Sequence, residues 1–295
     1  MLWVTGLLRV GLALPGSILE RFVCAARLSE DCRDEPDLRA SYGAELAAAV
    51  RAHAPALLYE EGMTALPVDY RRCRADGCAA GRPDGAVVRS DSGERIVAFT
   101  HVIDCRSEGA AASRKRGADC SGERAGNLYL QYWFYYPGSA TAEGSTPLKG
   151  VIRKASAELG HPTHHRDDWE SYQVRIAPGG SFARASSHHR YSYESEGAGP
   201  IPGHRVVRRA DGTLALKRVR EVVNGWGPER DTLYISGGSH AGNARTGRIV
   251  TRTTKDGRLV LIPLSRVALG EAPSFAITPP WRKRVFFDPE YTGTD

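Results

Sequence analysis

Three imidazoles and three carboxylates fall within ten residues, His161-Pro-Thr-His164-His165-Arg166-Asp167-Asp168-Trp169-Glu170. Such a density of titratable groups is costly to enclose in a fold unless a metal or a reaction uses it. A strand-like run follows, and in a strand from Asp168 onward Asp168, Glu170 and Tyr172 share one face while Trp169 and Ser171 take the other. The Cα atoms of the two acids are then about 6.6 Å apart, so both can reach one cation. Trp169 is expected to be buried against an opposite sheet, setting how far the acids protrude. His165 sits just before the strand, where a bend can turn its ring toward the same ion. Two carboxylates, one imidazole and several waters suit Ca²⁺, Mg²⁺ or Mn²⁺ better than a closed zinc site. The competing reading is a solvated strand edge on which Asp168 and Glu170 pair with Arg166 and Arg175. His161 and His164, flanking Pro162, read as loop residues.

Seven of the nine histidines lie between positions 161 and 240, so partners can arrive from elsewhere in the chain. In Ser186-Ser187-His188-His189 a strand sends His188 and His189 to opposite faces, one of them toward the acidic pair. Ser236-Gly237-Gly238-Ser239-His240-Ala241-Gly242 follows another strand, and its glycines permit a sharp turn beside a ligand. Ser239, His240 and Arg166 are therefore further candidates for contact with the site or its ligand. A Ser–His hydrolase built on Ser239 and His240 is disfavoured, because adjacent residues seldom bring hydroxyl and imidazole into mutual reach and no Gly-x-Ser-x-Gly elbow occurs.

These residues need a scaffold, and its texture is that of many short strands. Runs rich in Val, Ile, Tyr and Trp, broken by Gly, Pro and Asp, predict strands at Gly85–Ser90, Arg95–Val102, Asn127–Tyr136, Asp168–Ile176, Phe182–Tyr193, His204–Arg209, Thr213–Arg218, Asp231–Ser236, Arg248–Thr253 and Arg258–Pro263. Asp211-Gly212 and Asp256-Gly257 predict two tight hairpins. Helices are expected over Pro36–Ala52 and Pro147–Leu159. The pattern predicts an all-β, mainly antiparallel sandwich with an N-terminal helical extension and a few peripheral helices. Residues 1–52 read as an apolar segment plus helix, and 53–295 as a single sandwich domain.

All six cysteines, Cys24, Cys32, Cys73, Cys78, Cys105 and Cys120, lie in the first 120 residues. Their close spacing predicts disulfides 24–32, 73–78 and 105–120, the last two holding a loop-rich part over 60–125. Zinc is the alternative, but there is no Cys-x-x-Cys and no cysteine near the histidine cluster. Disulfides imply a secreted or cell-envelope protein. Met1 to Gly16 is apolar but interrupted by Arg9 and lacks a basic start, which suits a degenerate signal or anchor that could associate with a membrane, or an amphipathic helix on the domain. The net charge of +6 comes without basic runs interleaved with aromatics, so no nucleic-acid partner is expected.

Leu128-Tyr-Leu-Gln-Tyr-Trp133-Phe-Tyr-Tyr-Pro137, Asp168-Trp169-Glu170-Ser-Tyr-Gln-Val-Arg-Ile176 and Tyr234-Ile-Ser-Gly-Gly-Ser239-His240-Ala241, preceded by Ala54-Pro55 to Glu61 and Leu66-Pro67, resemble in the same order segments of the vacuolar-protein-sorting "sixty-two" family. His165-Arg166-Asp167-Asp168-Trp169-Glu170 is also similar to the His-Arg-His-Asp-Trp-Glu signature of the necrosis- and ethylene-inducing-like proteins. That resemblance implies a β-sandwich cytolysin whose divalent cation serves binding to host-membrane sphingolipid, with His165, Asp168 and Glu170 as ligands. Asp167 stands where the second histidine belongs, and Tyr136-Pro137-Gly138-Ser139 lacks the Pro-Lys-Asp that supplies another acid. The functional expectation is a cation-dependent binder of a glycan or lipid head group. The alternatives are a metal-assisted hydrolase using Glu170 or His165 to activate water, a membrane-active cytolysin, and a structural envelope protein.

Overall fold

The computed structural model describes residues 35–60, 66–71, 96–140, 164–187, 190–192, 204–212, 214–218, 225–235, 240–244, 251–253, 259–264 and 277–293. Two helices come first, α1 (Glu35–Tyr42) and α2 (Ala44–Ala52). The single helix expected over 36–52 is divided at Gly43, whose φ of 82° lies in the left-handed region that ends one helix before the next begins. Strands β1 (Ala56–Glu60), β2 (Val97–Asp104), β3 (Leu128–Ala140), β4 (His164–Ala177), β5 (Gly180–Ser187) and β6 (Arg190–Ser192) follow, with a short helix α3 (Ala110–Lys115) between β2 and β3. Then come β7 (His204–Arg208), β8 (Leu214–Arg218), β9 (Gly227–Pro228), β10 (Thr232–Ile235), β11 (Gly242–Asn243), β12 (Thr251–Thr253), β13 (Val260–Pro263) and a last helical turn α4 (Arg284–Phe287).

The large sheet runs β13-β2-β3-β4-β5-β6, with β9 added to β5, and the small one runs β11-β10-β1-β12. Pairing is mainly antiparallel, with parallel contacts where β1 meets β10 and β13 meets β2. The fold is sheet-rich with peripheral helices. One face of the large sheet, carrying Tyr132, Phe134, Tyr136, Tyr172 and Val174, shares a core with Leu57 and Tyr59 of β1, Leu233 and Ile235 of β10, and Leu38, Ala47 and Val50 of the two helices. Its other face, carrying Phe99, Trp133, Tyr135 and Trp169, packs against Val68, Tyr70, Trp281, Val285 and Phe286. Residues 128–139 are buried throughout for this reason. A strand covered on both sides reads as one continuous apolar run, LYLQYWFYY, and not as an alternation.

The second cover is the C-terminal segment, not the opposing sheet that Trp169 was expected to meet. A polar row lies in register across four strands, His101 opposite Gln131, Gln131 opposite Gln173, and Gln173 opposite Arg184. The row reads the main chain of that segment. Gln131 Nε2 donates to the Val285 carbonyl at 2.8 Å and Arg184 donates to the Pro289 carbonyl.

The Asp211-Gly212 hairpin forms between β7 and β8, with Gly212 at φ 82°. The hairpin expected at Asp256-Gly257 is not made by the described strands, because β12 pairs with β1 and β13 with β2, in different sheets. The strand expected over Phe182–Tyr193 is divided into β5 and β6. Cys105 and Cys120 are joined as a disulfide across a separation of 15 residues, a loop size for which closure contributes about 3 kcal/mol. Cys24, Cys32, Cys73 and Cys78 lie outside the described residues, as do the segments expected at Gly85–Ser90 and Pro147–Leu159 and the whole N-terminal apolar stretch. Among the described residues no helix is long and apolar enough to cross a membrane.

Candidate functional site

The alternation read from sequence places the acids correctly. Strand β4 pairs with β3 in an unbroken register in which Phe134 faces Glu170 and Tyr136 faces Asp168. Asp168, Glu170 and Tyr172 therefore lie on the side of the inter-sheet core, while Trp169 lies on the aromatic side. Trp169 is 5.0 Å from Tyr135, 5.4 Å from Tyr70 and 5.8 Å from Trp281, ring centre to ring centre.

Regular pairing of β4 with β5 ends at Tyr172 and Ala185. One residue further, the Ser171 N–H donates to Ser186 Oγ at 2.7 Å, so a side chain replaces the ladder bond. The Ser186 hydroxyl in turn donates to Glu170 Oε2. Strand β11 fits close beside this point, because a Cβ on Gly242 would meet Leu233 Cδ1 at 3.0 Å and the Ser186 carbonyl at 3.4 Å. The Gly242 N–H donates to the Glu170 carboxylate.

His240, just before β11, is fully buried and has a φ of 54°. Its Nδ1 is 2.9 Å from Asp168 Oδ2, and its ring stacks on Tyr136 at 3.9 Å and 5°. Because a carboxylate only accepts, Nδ1 carries a proton. Nε2 is buried and without a hydrogen-bond partner among the described residues, as are the hydroxyls of Tyr136 and Tyr59.

Burial pushes the Glu170 carboxyl well above the usual carboxylate range, and the neighbouring Asp168 charge pushes it further. Ser186, the Lys283 charge and the Gly242 N–H act in the opposite sense without cancelling this. Tyr136 is likewise raised by burial, then by Tyr59, Glu170 and Asp168. Two acids, an oriented imidazole and two phenols thus act on one another in one enclosed place.

The structure brings together Asp168, Glu170 and His240, the last from 72 residues away. His165 is half-buried, with Nδ1 3.3 Å from the Arg166 carbonyl, and Arg166 is exposed. The expected alternative of a solvated edge salt bridge is not what Asp168 does: it is buried against His240, and Arg175 pairs with Glu290 at 3.2 Å. His161, His188, His189 and Ser239 lie outside the described residues. Sequence reasoning missed Ser186 and Gly242 as partners of Glu170, and Tyr136 as the platform under His240. A serine replacing one ladder bond leaves no pattern in a sequence, and Tyr136 is one of several aromatics in its run.

Among the described residues no three His, Cys, Asp or Glu side chains gather as a metal-ligating group.

No family model matches the chain, and no curated protein matches it. A solved structure of NLPPya in complex with mannosamine is similar to it at 16% identity, covering 68% of this chain and 73% of that chain, with a TM-score of 0.26.

Proposed function

We propose that this chain is an extracytoplasmic sandwich protein that binds a divalent cation, Ca²⁺, Mg²⁺ or Mn²⁺, through Asp168 and Glu170, and uses the site to hold a polar ligand such as a glycan or a lipid head group. The observation that carries this reading is the placement of two carboxyl groups two residues apart on one face of β4, close enough that the Asp168 charge pushes Glu170 above the usual carboxylate range. A divalent ion removes that repulsion, and hard carboxylate oxygens are the donors such ions prefer. The ion would supply positive charge toward which ligand oxygens turn. His240 keeps Asp168 oriented through Nδ1, and Trp169 seats the strand from behind.

The test is calorimetric titration of Ca²⁺, Mg²⁺ and Mn²⁺ into chelator-treated protein, wild type against Asp168→Ala and Glu170→Ala. Saturable binding in wild type that each substitution weakens at least tenfold is expected. Equal heats in all three proteins, or none in wild type, sink the reading. One observation favours a second role, metal-assisted hydrolysis: an imidazole is hydrogen-bonded to one of the two acids. Turnover on a panel of esters, phosphoesters and glycosides separates the two, because a binding protein gives none.

A further inference from the structure

Three non-glycine residues among those described have positive φ, Asp167 at 61°, Asp231 at 50° and His240 at 54°. Two of the three converge on one carboxylate. Asp167 precedes Asp168 in the chain, and His240 is hydrogen-bonded to it. Both are fully buried. An L-residue in this region is strained and stays there only when its surroundings hold it. The strain at Asp167 is not that of an extra residue, because Tyr136 opposite Asp168 and Gly138 opposite Arg166 keep one register through it. Between them stands Pro137, which has no N–H to offer β4.

Tyr135 touches both neighbours of Asp168. Its hydroxyl donates to Asp167 Oδ1 at 2.8 Å, and its ring packs on Trp169 at 5.0 Å. We propose that Tyr135 and Asp167 are positioning residues for the acidic site: the Tyr135 hydroxyl holds Asp167 in its left-handed conformation, and that conformation aims the Asp168 carboxylate at His240. The proposal rests on reading Asp168 and Glu170 as the cation site. It places two side chains from the aromatic face of the sheet in control of a site on the opposite face.

The test uses full-length Tyr135→Phe, Asp167→Ala and Asp167→Gly with two readouts. One is Mn²⁺ affinity by calorimetry. The other is the exchange rate of the His240 Nδ1 proton by NMR, identified by its loss in His240→Gln, which needs no cation. Tyr135→Phe and Asp167→Ala are expected to weaken Mn²⁺ binding and to speed proton exchange by about fivefold or more, the factor that one left-handed L-residue implies. Asp167→Gly lacks the same carboxylate but accepts positive φ freely, so it is expected within about twofold of wild type in both readouts. A purely structural role for the Tyr135 bond would impair Ala and Gly alike. That result overturns the proposal, as does a Tyr135→Phe protein whose His240 proton exchanges at the wild-type rate. If wild type binds no Mn²⁺, the cation reading falls while the proton readout still decides the positioning role.

Discussion

Strand β4 carries a buried polar cluster near each end, on opposite faces, and the two are built on opposite terms. At the far end, Glu290 accepts from Tyr129 Oη at 2.7 Å, from Arg175 Nη1 at 3.2 Å and from Trp226 Nε1 at 2.6 Å. Trp226 lies between two guanidinium groups, Arg175 at 4.9 Å and Arg184 at 4.4 Å from its ring centre. One acid there meets a cation and two neutral donors. At the near end Asp168 holds the His240 imidazole, Glu170 is raised by burial and by Asp168, and Nε2 of His240 has no partner among the described residues. The far cluster matches its one acid to donors, although Arg175 Nε there has no partner among the described residues, whereas the near cluster sets two acids beside each other, an arrangement suited to something that arrives later.

The largest difference is expected when one acid is removed from each cluster. Glu290→Ala strands Arg175, Tyr129 and Trp226 and is expected to lower stability by about 3 kcal/mol in urea unfolding. Tyr129→Phe removes one donor to Glu290 and an acceptor for Asn127, with an expected loss of about 1.5 kcal/mol. A midpoint unchanged in both variants would show that the far cluster contributes nothing to the fold and would break the contrast.

The near cluster is expected to respond with the opposite sign. A carboxyl whose folded pKa is raised adds stability that is fully present below its unfolded pKa and is lost as pH rises through the folded value. For Glu170, lifted by burial and by Asp168, stability in the absence of cation should fall as pH climbs above the ordinary carboxylate range. Glu170→Gln keeps an acceptor for Ser186 and removes the charge. It is expected to flatten that dependence in urea unfolding followed across pH. Parallel pH curves for wild type and variant would show that Glu170 is not strained.

The alternation of β4 was legible because its period of two is a property of the strand itself, so Asp168, Glu170 and Trp169 sorted to their faces from sequence. Cys105 and Cys120 were legible from proximity. What could not be read was long-range and backbone-borne. His240 reaches Asp168 only because β10 lies parallel to β1 and β11 folds back beside β5, and no local signal fixes either arrangement. The left-handed φ of Asp167 is imposed from Tyr135, in another strand. The cover over Trp169 comes from Tyr70 and Trp281, on stretches far apart in the chain that carry no strand period. The expected β12–β13 hairpin failed for a related reason: an Asp-Gly pair permits a tight turn but does not oblige the flanking strands to join one sheet.

The smallest effect falls on a hydroxyl. The Tyr59 Oη is buried with no partner among the described residues, and burial raises its pKa, so the folded protein carries the desolvation of that hydroxyl. Removing it in Tyr59→Phe should leave the urea midpoint within about 0.5 kcal/mol of wild type, against the larger loss at Tyr129, whose hydroxyl is bonded. Tyr59 acts electrostatically on Tyr136, which lies under His240, so the same variant should weaken cation or ligand binding about twofold by calorimetry if the idle hydroxyls belong to the site. Unchanged stability with altered affinity places Tyr59 with the near cluster. A stability loss as large as that of Tyr129→Phe would instead mean that its hydroxyl is satisfied in the folded protein, and the contrast between the two ends of β4 would narrow to the acids alone.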